Sequence, residues 1–361
     1  MTLFNVLYIP IALWLAIYGL NSFVLIGLYL KHRRTREPCP AMDERPAVTV
    51  QLPVYNEKYV VQRAIEHLVR LDWPRERLQI QVVDDSTDET TALARQQVAQ
   101  YRRQGIDIVL IHRDARSGFK AGALNAALPD ACGEFVAVFD ADFCPSPDFL
   151  CRTVPHLAAD PSLGFVQTRW GHLNAGLSPL TRAQAIALDG HHLIEHTARS
   201  RAGLLANFSG TGGVWRATCI RDSGGWDAKM LTEDVDLGYR AQLRGWKGLM
   251  LPDVVSPSDL PAQLLACKQQ QFRWAKGNIQ CLLKLALPLA RAPVSLAARL
   301  QALIHLSYYL AHPLMLLVML CALPLIWLSG PEQAFGASTA ALLSLATLGP
   351  PLLYSLGQRE I

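Results

Sequence analysis

An α/β domain built on a mostly parallel, buried sheet and flanked by membrane-spanning α-helices is what this sequence predicts. Three observations lead there. Both ends of the chain lack charge: residues 1–30 carry none, and no Asp, Glu, Lys or Arg occurs from Leu300 to Pro331 or from Gln333 to Gln358. Between those ends, residues 46–270 alternate short β-rich apolar runs with amphipathic helical stretches, the pattern of a parallel sheet covered on both faces. The ends of those runs are acidic. Across its 361 residues the chain is 51% hydrophobic and only 18% charged, too apolar for an ordinary soluble enzyme.

The first element, residues 1–31, is a transmembrane helix. About 20 apolar residues cross a bilayer core, and Tyr8, Trp14, Tyr18 and Tyr29 supply interfacial anchors. A cleaved signal peptide would carry its positive charge before a shorter apolar core. Here Lys31, His32, Arg33, Arg34 and Arg36 follow it, which places the next domain in the cytoplasm. That domain is expected over 46–278. Segment 279–299, with Lys284, Arg291 and Arg299 among apolar runs and with Pro288 and Pro293 interrupting it, reads as an amphipathic helix lying on the membrane. Residues 300–358 are expected to form two further spans, with a kink or re-entrant turn at Gly349-Pro350-Pro351. The expectation is therefore an integral, multi-pass protein of a plasma or inner membrane.

Eight cysteines form no CxxC pair and no Cys/His metal set, which suits a reducing compartment and implies no structural zinc. The net charge of +4 lies largely beside the membrane, where it meets anionic headgroups. Nothing in it points to nucleic acid.

Four strands are expected at Val48–Leu52, Ile80–Val83, Ile106–Ile111 and Phe135–Phe139, with helices near 58–71, 87–104 and 118–128. In such sheets ligands bind beyond the carboxyl ends of the strands. Pro53-Val54-Tyr55-Asn56-Glu57 follows the first strand, Asp84-Asp85-Ser86 the second and Asp140-Ala141-Asp142 the fourth. The Gly-rich turn of a dinucleotide fold is absent from the first of these positions.

The carboxylates of Asp140 and Asp142, spaced i, i+2 in a tight turn, suit one hard cation, Mg²⁺ or Mn²⁺, shared with phosphate oxygens. A solvated turn gives the same pattern. Asp84 or Asp85 suits a nucleobase N–H or ribose hydroxyls, while Ser86-Thr87-Asp88 resembles a helix start. Thr232 in Thr232-Glu233-Asp234 is placed to cap a helix, and Asp234 suits a general base for a sugar hydroxyl. Lys120 stands at a helix start, a place for a diphosphate. In Gln270-Gln271-Phe272-Arg273-Trp274, Arg273 suits a leaving pyrophosphate and Trp274 a sugar ring. The same Arg/Trp pair also suits a headgroup anchor.

Taken together, the set resembles glycosyltransferase family 2 and, within it, the cellulose synthase-like branch. PVYNE at 53–57, VVDDSTD at 82–88, KAGALN at 120–125, FDADF at 139–143, TED at 232–234 and QxxRW at 270–274 occur in the family's order, over roughly residues 46–280. Phe165-Val166-Gln167-Thr168-Arg169-Trp170 with His172 and Asn174, and the run from Phe208 to Arg216, resemble stretches of mannan and glucomannan synthases. Cellulose synthases more often carry QTP where Gln167-Thr168-Arg169 stands. The resemblance implies a GT-A fold, a Rossmann-like αβα sandwich. It implies that Tyr55, Glu57, Asp84, Asp85, Lys120, Asp140 and Arg273 bind the donor. Asp140 and Asp142 would bind the metal, and Asp234 would be the base. Gln167, Phe208, Glu233, Gln270 and Trp274 would contact the acceptor.

The implied reaction is an inverting hexosyl transfer from GDP-mannose, GDP-glucose or UDP-glucose to a growing β-linked polysaccharide. Two alternatives stand beside it: transfer of one sugar to a lipid acceptor, as in ceramide glucosyltransferases, and an inactive membrane scaffold that binds nucleotide sugar. Relatives that thread a polymer through the membrane usually carry more helices after QxxRW. Since this chain stops at Ile361, the expectation is a shortened natural chain, a fragment of a longer one, or a form that additional membrane subunits complete into a channel.

Overall fold

The computed structural model describes residues 3–35, 37–329 and 337–361. Its centre is a seven-stranded sheet. The strands are β1 (Val48–Val54), β2 (Leu78–Asp84), β3 (Ile108–His112), β4 (Phe135–Val138), β5 (Leu163–His172), β6 (Gly213–Arg216) and β7 (Lys247–Ser258). Their order is β3-β2-β1-β4-β6-β5-β7. The four expected strands are all present, and the expectation of a mostly parallel sheet holds with one exception. β6 runs antiparallel to both β4 and β5, starting at the rim where β4 ends and running away from it.

Every residue of β1 is buried, because helices cover both faces of the sheet. One face packs β1, β2 and β4 against α2 (Val61–Val69) and α5 (Phe149–Ala159), through Leu52, Ile65, Phe139 and Phe149. The other packs Val136, Phe165 and Trp215 against α4 (Phe119–Ala127) and α9 (Glu233–Leu243), through Leu124 and Leu237. Parallel register brings Val54 beside Asp84, so the acidic ends of neighbouring strands share one rim.

Two segments are long and apolar enough to cross a membrane by length and composition: Leu7–His32 and Leu296–Pro324. A further helix runs from Ala337 to Glu360. It continues through Pro350 and Pro351, where a kink or re-entrant turn was expected, so the chain does not turn back there. Close backbone packing holds it there: a Cβ on Gly19 would lie 2.2 Å from the Ala346 carbonyl oxygen, and one on Gly349 would lie 2.1 Å from that of Gly19. Small residues permit this approach between apolar helices. Tyr18 donates to the Ser307 carbonyl at 2.9 Å, Gln301 donates to Asn21 at 2.5 Å and Gln358 donates to Asp189 at 2.8 Å. These bonds tie the apolar helices to each other and to the sheet domain.

The expected interfacial segment 279–299 has no boundary at its start. One helix runs from Leu264 to Arg291, so the QxxRW residues and 279–291 share an element. Pro288 lies inside that helix; Pro293 falls in the break before the next, Leu296–Ser307.

Candidate active site

Strand ends and helix starts converge on a cleft of about 680 Å³. Tyr55, Glu57, Asp85, Lys120, Asp140, Asp142, Glu233, Asp234, Gln270, Arg273 and Trp274 line it. Residues more than two hundred positions apart are thereby brought together. Asp140 and Asp142 stand just past β4, Lys120 on the first turn of α4, and Glu233 and Asp234 at the start of α9.

Lys120 organises the centre. Its Nζ lies 2.5 Å from Asp140 Oδ1 and donates to the Gly210 carbonyl at 2.9 Å. Burial opposes its charge, but Asp140, Glu233 and Asp234 outweigh burial and raise its pKa. The acids respond oppositely. Burial, then the charges of Asp140 and Asp142, push Glu57 up to about 8. Burial and Asp140 push Asp142 to about 7. Burial and Asp234 push Glu233 to about 8, whereas Asp234, raised by burial but opposed by Lys120, reaches only about 6. Both acids are thus raised by burial, Asp234 less so because Lys120 opposes it.

Three residues expected in the site are elsewhere. Asp84 is fully buried and does not line the cleft. It accepts from the Ser86 backbone N–H (3.0 Å) and Thr91 Oγ1 (2.6 Å) and meets His112 Nδ1 (2.8 Å). Those three partners leave it a structural role, and Asp85 is the one that faces the cleft. Gln167 is buried; its amide donates to the carbonyls of Thr168 (2.9 Å) and Thr211 (3.0 Å), and its oxygen accepts from the Ser209 N–H at 2.8 Å. It holds the 209–212 loop under Lys120 instead of reaching an acceptor. Phe208 is fully buried against Phe165 and Trp215 and belongs to the core. The expected caps differ too. Thr232 makes no side-chain cap; its hydroxyl faces Cys281 Sγ at 3.4 Å. The helix after Asp84-Asp85 begins at Thr90, with Asp88 accepting from the Thr90 N–H at 2.9 Å.

Gly277 fixes the distance between the loop that carries Thr232 and the QxxRW helix. A Cβ there would lie 2.5 Å from Thr232 Cγ2 and 2.8 Å from the Thr232 backbone nitrogen. Gly277→Ala must push Leu264–Arg291, and Trp274 with it, away from Asp234. A misplacement of this size is expected to lower activity by about tenfold to a hundredfold. A variant at wild-type rate would show the spacing to be unimportant.

A second cavity, of about 530 Å³, opens from the cleft past Trp170, Asp234 and Trp274. Its walls include His191, Asn207 and Tyr309, and it reaches Tyr18 and His305 on the apolar helices. His192 stacks on Trp170, with ring centroids 4.7 Å apart. Burial and the neighbouring His191 drive the His192 pKa well down, so the ring is neutral. No motif signalled this cavity, because its walls come from many elements spread along the chain.

The family model "Glycosyltransferase like family 2" matches residues 46–277. A glucomannan 4-beta-mannosyltransferase 7 of Arabidopsis thaliana is 43% identical over 246 residues, 67% of this chain and 44% of that protein. A probable glucomannan 4-beta-mannosyltransferase 7 of Oryza sativa subsp. japonica is 40% identical over 273 residues, 73% of this chain and 46% of that protein. The chain thus spans less than half the length of these relatives. Among solved structures, the mannosyltransferase PcManGT of Pyrobaculum calidifontis, in complex with GDP-Man and Mn²⁺, superposes with a TM-score of 0.69. It is 23% identical, and the match covers 94% of this chain and 98% of that one. TarS 1-349 of S. aureus in complex with UDP gives 0.55 at 19% identity, covering 87% and 90%. These likenesses show the GT-A fold that the sequence motifs implied. The chain belongs to glycosyltransferase family 2.

Proposed function

We propose that the chain transfers a hexose, with inversion, from a nucleotide sugar to a growing β-linked polysaccharide, and that GDP-mannose is its foremost donor. The observation that carries this reading is one cleft holding Asp234 beside Lys120, Asp140 and Asp142, continuous with a polar and aromatic cavity that reaches the apolar helices. The mannosyltransferase names of the relatives support the sugar. The cavity supports a glycan acceptor over an acyl chain: Trp and Tyr rings stack on sugar faces, and His and Asn bond hydroxyls.

The donor set fits a divalent cation. Asp140 and Asp142 crowd two carboxylates together, and burial with Asp140 already disfavours the charge of Asp142. Among the described residues no set of three or more His, Cys, Asp or Glu forms a metal cage. A site of two carboxylates completed by phosphate oxygens suits Mg²⁺ or Mn²⁺, and the Pyrobaculum neighbour's Mn²⁺ complex supports that choice. When bound, the cation neutralises charge on the diphosphate.

This chain's residues then perform one displacement. Asp234 accepts the proton of the acceptor hydroxyl as that oxygen bonds to the anomeric carbon. The bond from that carbon to the diphosphate breaks, and its electron pair leaves with the diphosphate. Lys120 and Arg273 take up the departing charge, while Trp274 holds the acceptor sugar.

Asp234 must be ionised to act. Because its pKa is raised to about 6, its competence is lost as pH falls through that value. The expected kcat/KM profile is level above about pH 7 and falls tenfold per unit below about 6. A profile flat down to pH 5 would remove Asp234 from the role.

The test of function is incubation of the detergent-purified chain with Mn²⁺ or Mg²⁺ and labelled GDP-mannose, GDP-glucose or UDP-glucose. A long product that β-mannanase digests supports the polymer reading. Label confined to a small lipid-soluble product assigns the single-sugar reaction instead. Nucleotide binding without transfer assigns a scaffold. The span at Leu7–His32, the cytoplasmic position of the domain and the contact of Leu264–Arg291 with lipid belong to the same proposal. Exposed Leu265, Leu283 and Leu287 on that helix support it.

A further inference from the structure

Lys284 is one of three cations that the sequence places on a membrane-lying segment, yet its ammonium turns back toward the sheet domain. Its Nζ lies 2.7 Å from Asp227 Oδ2 and 2.7 Å from Asp236 Oδ1. Asp236 is fully buried on α9, just after Asp234, and its other oxygen accepts from Arg240 Nε at 2.7 Å. Asp227 belongs to the loop 226–232, which runs directly into Glu233 and Asp234. The bond from Lys284, foremost, holds the Asp227 carboxyl below its usual range. A headgroup anchor would send this ammonium toward lipid and water. Here it joins two carboxylates from separate segments instead.

The same face of the helix Leu264–Arg291 holds the rest of that loop. Residues 277, 280, 281 and 284 are spaced i, i+3, i+4 and i+7 and share one side of it. Gly277 packs on Thr232, Gln280 Oε1 accepts from the Leu231 N–H at 3.2 Å, and Cys281 Sγ faces the Thr232 hydroxyl. The start of the loop is pinned to α4, where the Asn125 amide bonds both the N–H and the carbonyl of Trp226. Met230, Leu231 and Thr232 line the cleft. Lys284 lies outside the cleft, roughly 15 Å along the helix from Trp274 at 1.5 Å per residue.

We propose that Lys284 is a positioning residue for sugar transfer: by bridging Asp227 and Asp236 it fixes the 226–232 loop and the start of α9 to the helix that carries Arg273 and Trp274, and so sets the place of Asp234 against the acceptor. The proposal rests on the roles given above to Asp234 and Trp274. Without Lys284, the buried Asp236 keeps Arg240 as its partner, so no buried charge is left uncompensated. Asp227, with its side chain 30% exposed, is satisfied by water instead. The fold therefore survives, the loop is released, and the base loses its register. A displacement of about 1 Å between reacting groups costs about a hundredfold in rate even when its cause lies far from the chemistry.

Turnover of the full chain in detergent with labelled GDP-mannose, Mn²⁺ and a short β-mannan oligosaccharide, counted per GDP-binding site, separates positioning from folding. Lys284→Met is expected to lower kcat per site by about tenfold to a hundredfold, with the KM for GDP-mannose within twofold of wild type. Lys284→Arg, which still reaches both carboxylates, is expected to recover most of that loss. Asp227→Asn is expected to lower kcat as well and, combined with Lys284→Met, to cost no more than the larger single loss, because both changes remove one interaction. A kcat per site within fivefold of wild type in Lys284→Met overturns the proposal. So does a loss confined to the number of GDP-binding sites, which marks a structural role alone, and so do losses that multiply in the double variant. Absence of transfer by the wild-type chain removes the transfer reading itself and the proposal with it, whereas the variant outcomes leave that reading intact.

Discussion

Asp234→Asn is expected to lower sugar transfer by about 10²–10⁴-fold, the usual contribution of a positioned general base, while GDP still binds. The substitution keeps the shape of the side chain and removes only its ability to take a proton. Asp234 begins α9, beside Gly210 and within reach of the charge on Lys120, which keeps it ionised where burial alone would not. Glu233 is not expected to take over, because burial, the larger cause of its raised pKa, remains in the variant although the Asp234 charge is gone. Raising the pH of the Asp234→Asn assay to 9 tests this, because an ionised Glu233 would restore transfer if it could act as base. Turnover within tenfold of wild type at neutral pH would sink the assignment. Loss of GDP binding together with activity would place Asp234 in donor binding instead.

Asp142→Ala carries the second large effect. Removing one preorganised partner of the departing diphosphate costs about 10²–10³ in rate, and here the loss should come with loss of metal response. In wild type, adding Mn²⁺ should raise both turnover and the melting temperature, since a ligand that binds only the folded state stabilises it by mass action. In Asp142→Ala both responses should vanish while the metal-free melting temperature stays at or above the wild-type value, because a carboxylate crowded by Asp140 and by burial has been removed. A variant that keeps a full Mn²⁺ shift would show that Asp142 is not a ligand.

The sequence by itself determined the frame. Strand cores such as Phe135-Val136-Ala137-Val138 are apolar because helices bury both faces of the sheet. In parallel strands the residues that follow, Asp85, Asp140 and Asp142, fall on one rim whatever the details of packing. Local chemistry also marked Lys120, Asp234, Arg273 and Trp274, and all four reach the cleft. Only the tertiary structure decided which members of a motif face that cleft. Asp84 and Asp85 are adjacent, yet one is consumed by Ser86, Thr91 and His112 while the other lines the site. Gln167 and Phe208 belong to recognisable stretches but point into the 209–212 loop and the core. The antiparallel insertion of β6, the cavity behind Asp234 and the bridge of Lys284 between Asp227 and Asp236 were equally hidden. The physical reason is the same in each case. A side chain's direction follows from its strand's register and from partners tens to hundreds of residues away, and no local pattern of residue types encodes those distances.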